Sequence, residues 1–161
     1  MEATILTAVS DYELERGKPM PSKNHAFIQG NLHFELRTRF GDRFKALPEV
    51  NVPLLTGNYF VPDLALFPPT MTFDMEEDEV KVTEVPLGVV EILSPDQSVQ
   101  DVVLKARSYF DLGIRSYWLV IPPLRTVHVY HAPQANRAFV APDALRDEIL
   151  GIELPLGPIF G

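Results

Sequence analysis

The chain has 161 residues, 46% of them apolar, which suits one domain with a real core and excludes wholesale disorder. Its formal charge is −8, from 14 Lys and Arg against 22 Asp and Glu. That argues against a general basic footprint for nucleic acid, but leaves room for a local basic groove or for an acidic site screened by Mg²⁺. No cysteine is present, which excludes disulfides and thiolate zinc sites.

No apolar run approaches the roughly 18 to 20 residues that span a bilayer. The opening "MEATILTAVSDYELERG" has an apolar patch but no basic n-region, so it reads as ordinary chain rather than a signal peptide. The expected compartment is the cytoplasm. "YELERGKPMPS" reads as an extended piece, a glycine turn and a proline-bounded loop. In "SKNHAFIQGNLHFELRTRF" apolar residues recur at 28, 32, 36 and 40, with Phe27 alongside, which predicts a helix. Ser22 is placed to cap its start and Gly41 to stop it.

"FKALPEVNVPLL" and "YFVPDLALFPP" each read as a strand, the second closed by Pro68 and Pro69. The acidic run Asp74 to Glu79 reads as a solvated loop. "PLGVVEIL" is apolar on both faces, as a central strand is, and Ser94-Pro95 ends it. A helix is expected from about Val99 to Leu112, with Val99, Val103, Ala106 and Phe110 on one face and Gly113 as its stop. "SYWLVIPP" is another short apolar strand, and "TVHVYHA" alternates as an edge or half-buried strand does. The tail "RAFVAPDALRDEILGIELPLGPIF" reads as a closing hairpin and a last proline-broken strand. The strand–helix–strand unit from Val89 to Val120 implies a right-handed parallel crossover. The expected fold is therefore α/β, a single domain over residues 1–161 with a small mixed β-sheet flanked by helices.

Glu91 stands between Val89, Val90, Ile92 and Leu93. An ionised carboxylate buried there without a partner costs several kcal/mol or more. Three readings are open: it faces solvent, it belongs to a structural ion pair, or it is a metal ligand. Asp63, after Pro62, lies in a second apolar run, either as a strand-entry turn or as a second ligand. Neighbouring strands are about 4.8 Å apart, so carboxylates at matched height can share one hard cation. Oxygen-only ligation favours Mg²⁺ or Mn²⁺ over zinc.

Asp101 and Lys105 are four apart and share a helix face. They read either as a solvated ion pair or as the support of a lysine turned toward the carboxylates, where it positions a water or offsets phosphate charge. His25 near the start of the first helix reads equally as a site residue or as a satisfied or capping histidine, and Glu13 carries a weak signal alone. His33, His128 and His131 show no ligand spacing, and Trp118 reads as core rather than as a stacking platform. There is no P-loop, GxGxxG, GxSxG or HExxH.

The ordered set "VPDLALF … GVVEILSP … D-x-x-x-K-x-x-x-Y … GIRSYWLVIP" resembles the Uma-type restriction-endonuclease-like family, within the PD-(D/E)XK nuclease superfamily. The likeness runs from "YELERGKPMPSKNHAFIQGNL" to "GIELPLGPIF". It implies a restriction-endonuclease-like core, and Asp63 as the metal-binding aspartate of the PD element. Glu91 becomes the second ligand, with the Ile92 backbone carbonyl beside it. Where the superfamily usually has a lysine, two residues after that carboxylate, this chain has Leu93. The resemblance is to members whose lysine has moved to the following helix, which points to Lys105, supported by Asp101 and Tyr109. Glu13 and His25 match the family's N-terminal positions. "SPDQSVQD" carries no basic residue where the family is arginine-rich, and Ile121 stands where an aspartate usually precedes proline.

The resemblance implies a Mg²⁺- or Mn²⁺-dependent endonuclease acting on DNA, as a homodimer or higher homo-oligomer. The charge and the missing basic segment motivate an alternative, a nuclease fold kept as a protein-binding or regulatory module without cleavage. A carboxylate-pair glycosidase leaves Lys105 without a role and lacks an aromatic sugar platform.

Overall fold

The computed structural model describes residue 14 and residues 20–161. Helix α1, Lys23–Phe40, begins where the Ser22 hydroxyl accepts the His25 backbone N–H and ends before Gly41. It buries His25, Ile28, Leu32 and Leu36 along one stripe, while Phe27 stays 53% exposed. Each of the three aliphatic side chains contributes on the order of 1.5–3 kcal/mol by leaving water. Gly41 keeps right-handed helical angles, so its role is space: a Cβ there would collide with the Arg37 carbonyl oxygen.

The strands follow as β1 Lys45–Pro48, β2 Val52–Pro53, β3 Tyr59–Phe60, β4 Leu64–Phe67 and β5 Gly88–Ile92. Helix α2, Val99–Leu112, leads to β6 Ser116–Ile121, then β7 Thr126–Ala132 and β8 Ala135–Val140. β9 Ala144–Asp147, β10 Ile152–Pro155 and the short helix α3, Gly157–Phe160, complete the chain. Six strands form one sheet in the order β1-β4-β5-β6-β7-β8, and the pairs β9–β10 and β2–β3 stand apart from it. Within this sheet, among the described residues, β5 and β6 are the one parallel pair, joined through α2 as the crossover pattern predicts. The fold is thus the mixed α/β sheet with helices expected from the sequence.

Alternation on β5 divides the interior in two. Val90 and Ile92 pack with Ile28, Leu32 and Leu36 of α1, while Val89 packs with Val102, Ala106 and Tyr109 of α2. Trp118 is buried in the α1-side core, and its indole N–H donates to Asp147 Oδ2 at 2.8 Å. The acidic run is an exposed loop in which the Asp74 carboxylate accepts the backbone N–H groups of Glu76 and Glu77. No helix among the described residues is long and apolar enough to cross a membrane.

Four expectations need correction. "FKALPEVNVPLL" is two strands, because the chain turns at Glu49, whose φ is +55°, and β2 leaves the main sheet to pair with β3. "YFVPDLALF" likewise breaks between β3 and β4, around Pro62, which has no N–H to give a ladder. The face of α2 is rotated: Val102, Ala106 and Tyr109 are buried, Val99 is 47% exposed, and Val103 and Phe110 only fringe the core. Finally the tail, after its β9–β10 hairpin, ends in α3 rather than in a last strand, while β7 is the part-buried strand of the two readings, with β8 taking the edge. The extended piece and glycine turn read in "YELERG" fall on residues 12–17, of which only Leu14 is described.

Candidate active site

β4 and β5 are antiparallel, with Leu64 opposite Val90 and Ala65 opposite Val89. One step further in that register, Asp63 comes level with Glu91. Both are buried, at 1% and 3% exposure. The Asp63 side chain takes over where the backbone ladder stops: its Oδ2 accepts the Ile92 N–H at 2.7 Å. Pro62 just before it supplies no donor of its own, so the strand entry is built around the carboxylate.

The first turns of α1 hold Asp63 from the other side. His25 Nε2 lies 3.1 Å from Asp63 Oδ1. One turn on, Gln29 donates through Nε2 to the Asp63 carbonyl at 2.9 Å. A carboxylate with two such donors on its oxygens tolerates burial far better than a bare one. Because the carboxylate can only accept, His25 donates from Nε2. Its Nδ1 is buried and has no hydrogen-bond partner.

Glu91 lies on the face of β5 opposite Val90 and Ile92, toward α2. Tyr109, itself fully buried, donates its hydroxyl to Glu91 Oε1 at 3.2 Å. Burial first, and then the charge of Glu91, pushes the Tyr109 phenol well above its ordinary value. Tyr117 on β6 is pushed well up by burial, then by Glu91 and Asp63, and it donates to the Val102 carbonyl at 3.0 Å. Both phenols therefore remain neutral donors, and each registers the charge of both carboxylates.

Asp101, Lys105 and Tyr109 step inward along α2. Each four-residue step turns the helix about 40° past a full turn. Asp101 is exposed, Lys105 half-buried and Tyr109 buried. Asp101 gives its backbone N–H to Ser98 Oγ as part of the helix start. Lys105 lies with Nζ 5.4 Å from the centroid of the Phe60 ring, a cation–π contact. Phe60 in turn meets Tyr109 edge-on at 5.2 Å. Among the described residues Lys105 makes no ion pair within 4.0 Å with Asp63, Glu91 or Asp101. Asp63, Glu91, His25 and Tyr109 are thus brought together, with Lys105 one aromatic ring away and Asp101 at the rim. Glu13 lies outside the described residues.

Gln29, Phe60 and Tyr117 belong to this neighbourhood and were not singled out from sequence. Gln29 had a usable signal, standing one helical turn after His25. Phe60 and Tyr117 read as ordinary core aromatics. Among the described residues no group of three or more His, Asp or Glu side chains is arranged to hold a metal. The donors on offer are the two level carboxylates and backbone oxygen. That set suits a hard cation such as Mg²⁺ or Mn²⁺, not a thiolate- or imidazole-seeking metal.

A mixed sheet with a parallel β5–α2–β6 unit, and buried carboxylates on β5 and at the entry to the adjacent β4, fits the restriction-endonuclease-like α/β fold that the sequence resemblance implies. Residues 7–157 match the model of the family described as "Uma2: Putative restriction endonuclease", and the chain belongs to that family. A crystal structure from Anabaena variabilis ATCC 29413, described as a "putative nuclease belonging to DUF820", superposes with a TM-score of 0.75 at 25% identity, covering 88% of this chain and 83% of that one. The DrdV–DNA complex aligns at a TM-score of 0.48 and 12% identity, over 81% of this chain and 11% of that one, a likeness too slight to bear on function. No curated protein matches the chain.

Proposed function

We propose that this protein is a divalent-metal-dependent endonuclease that hydrolyses DNA phosphodiester bonds, with Asp63 and Glu91 as its acidic ligands. The observation that carries this reading is the pair of buried carboxylates, Asp63 at the entry to β4 and Glu91 on the adjacent β5, each with its own protein donor. Mg²⁺ or Mn²⁺, held by Asp63, Glu91 and the Ile92 carbonyl, would supply a polarised phosphate and a more acidic water.

The chain's own residues do the rest. His25 and the Ile92 N–H fix the two oxygens of Asp63, and Tyr109 fixes Glu91. Lys105, on its flexible four-carbon stem over Phe60, orients the attacking water or offsets charge on the phosphate. Water oxygen bonds to phosphorus and gives up a proton to solvent, one bridging P–O bond breaks, and the departing oxygen takes a proton from solvent. Tyr109 stays neutral and serves as a donor, not a base.

The test is cleavage of plasmid and oligonucleotide DNA with Mg²⁺ or Mn²⁺. Asp63→Ala and Lys105→Ala are each expected to lower the rate at least about a hundredfold, the scale of losing a ligand or a positioned acid–base group. Wild-type cleavage that survives both changes overturns the assignment. The parking of Lys105 on Phe60, clear of both carboxylates, favours a second reading, a binding module that has kept the fold without cleavage. That reading requires no cleavage by the wild type under either metal.

A further inference from the structure

A cavity of about 610 Å³ opens on the His25 side of the site, between the first turn of α1, the loop after β5 and the prolines after β6. Its size falls in the roughly 300–1,000 Å³ range of small-ligand pockets. We propose that this cavity receives an unpaired nucleobase of the strand whose phosphate lies at Asp63 and Glu91. The substrate class is then DNA with unpaired nucleotides, in single strands, bulges or junctions, rather than fully paired duplex. The inference rests on the nuclease reading above.

Three observations carry it. Leu93, Pro95, Pro122 and Pro123 give the cavity apolar faces, with the exposed Lys23 and the part-buried Gln97 among its polar lining. A phosphate would be desolvated against those apolar faces, whereas the π-face of any base would not. The floor includes His25, which binds Asp63 through Nε2 and leaves Nδ1 buried without a partner. A buried polar nitrogen without a partner is a cost that a ligand hydrogen bond removes, and base edges carry both donors and acceptors. One histidine thus touches both the Asp63 carboxylate and the cavity, so an occupant sits one residue from the reacting phosphate.

The third observation is charge. The loop from Ser94 to Asp101 has no basic residue, and the whole chain carries −8. Lys23 is the one Lys or Arg among the cavity's lining residues, so a grip on duplex DNA made mainly through phosphates is poorly supplied here, and apolar contact with an extruded or unpaired base supplements it. Asn24 and Ser94 at the cavity provide further edges for hydrogen bonding.

The experiment measures binding and cleavage separately. In EDTA, fluorescence anisotropy compares a single strand, a duplex with one unpaired nucleotide and the same duplex fully paired. The two probes with unpaired nucleotides are expected to bind at least about tenfold tighter than the paired one. Asn24→Trp and Pro123→Trp, both at exposed wall positions, fill the cavity and remove that margin, with thermal melts showing that each variant is folded. Equal affinity for all three probes, or a margin kept by both folded variants, overturns the proposal. The same probes are then incubated with Mn²⁺. A margin that the variants abolish, without cleavage of any probe, supports the cavity while the nuclease reading fails. Cleavage of all probes at equal rates overturns the cavity and leaves the nuclease reading standing.

Discussion

At Glu91 the chain holds a carboxylate at 3% exposure, and the group that reaches it from α2 is the Tyr109 phenol. The neighbouring Tyr117 phenol is raised by burial first and by the two carboxylates next. An unfolded chain releases such a proton near the ordinary value of 10.0, the folded chain only at higher pH. Above that value the native state holds more protons than the unfolded state, so stability falls as pH rises. Tyr117→Phe removes one such group. It should start less stable at neutral pH by about 1 kcal/mol, for loss of the bond to the Val102 carbonyl. From about pH 9 to pH 11 it should then lose less than the wild type does, since lysines titrate equally in both proteins and cancel. Urea midpoints across that range check it, and parallel declines would refute the linkage.

At the scale of the element, α2 turns a sequence pattern into a gradient of burial, from Asp101 at the rim to Tyr109 against Glu91. Its far end is fixed by Gly113, whose φ of +112° lets its N–H bond back to the carbonyls of Tyr109 and Phe110. A side chain in that left-handed conformation costs roughly 1–2 kcal/mol. Gly113→Ala should therefore lower unfolding free energy by that amount with an unchanged urea m-value, and a loss near zero would mean the cap is not what holds Tyr109 in place. Gly113 as a stop was legible in the sequence, as were Ser22 and Gly41 around α1 and the central place of β5, because caps and all-apolar strands are local signals. The inward face of α2 was not. The spacing 99, 103, 106, 110 and the buried set 102, 106, 109 both run through Ala106, and what selects between them is the Glu91 carboxylate and the Val102 carbonyl, which need Tyr109 and Tyr117. That choice depends on the sheet, which a helix sequence does not contain. The same holds for Asp63: its apolar setting was readable, but its bonds to His25 and Ile92 join segments far apart in the chain.

For the whole molecule, the question is how a chain of net charge −8 keeps two buried carboxylates, one at the entry to β4 and one on the adjacent β5. Protein donors meet part of the cost, through His25, the Ile92 N–H and Tyr109. A bound cation would lower it further, and a ligand that binds only the native state stabilises that state by mass action. If Asp63 and Glu91 are metal ligands, Mn²⁺ at ten times its dissociation constant adds about 1.4 kcal/mol. For a chain of this length that raises the melting temperature by roughly 3–5 °C. Asp63→Asn should melt at a temperature indifferent to Mn²⁺, because the amide keeps the shape but loses the charge. Ca²⁺ should stabilise the wild type in the same direction, since it also seeks oxygen ligands. A wild type whose melting point does not move with either ion would remove the metal from the proposed site. The carboxylate pair would then be a structural element of a non-cleaving fold, and the DNA assays would be expected to show binding at most.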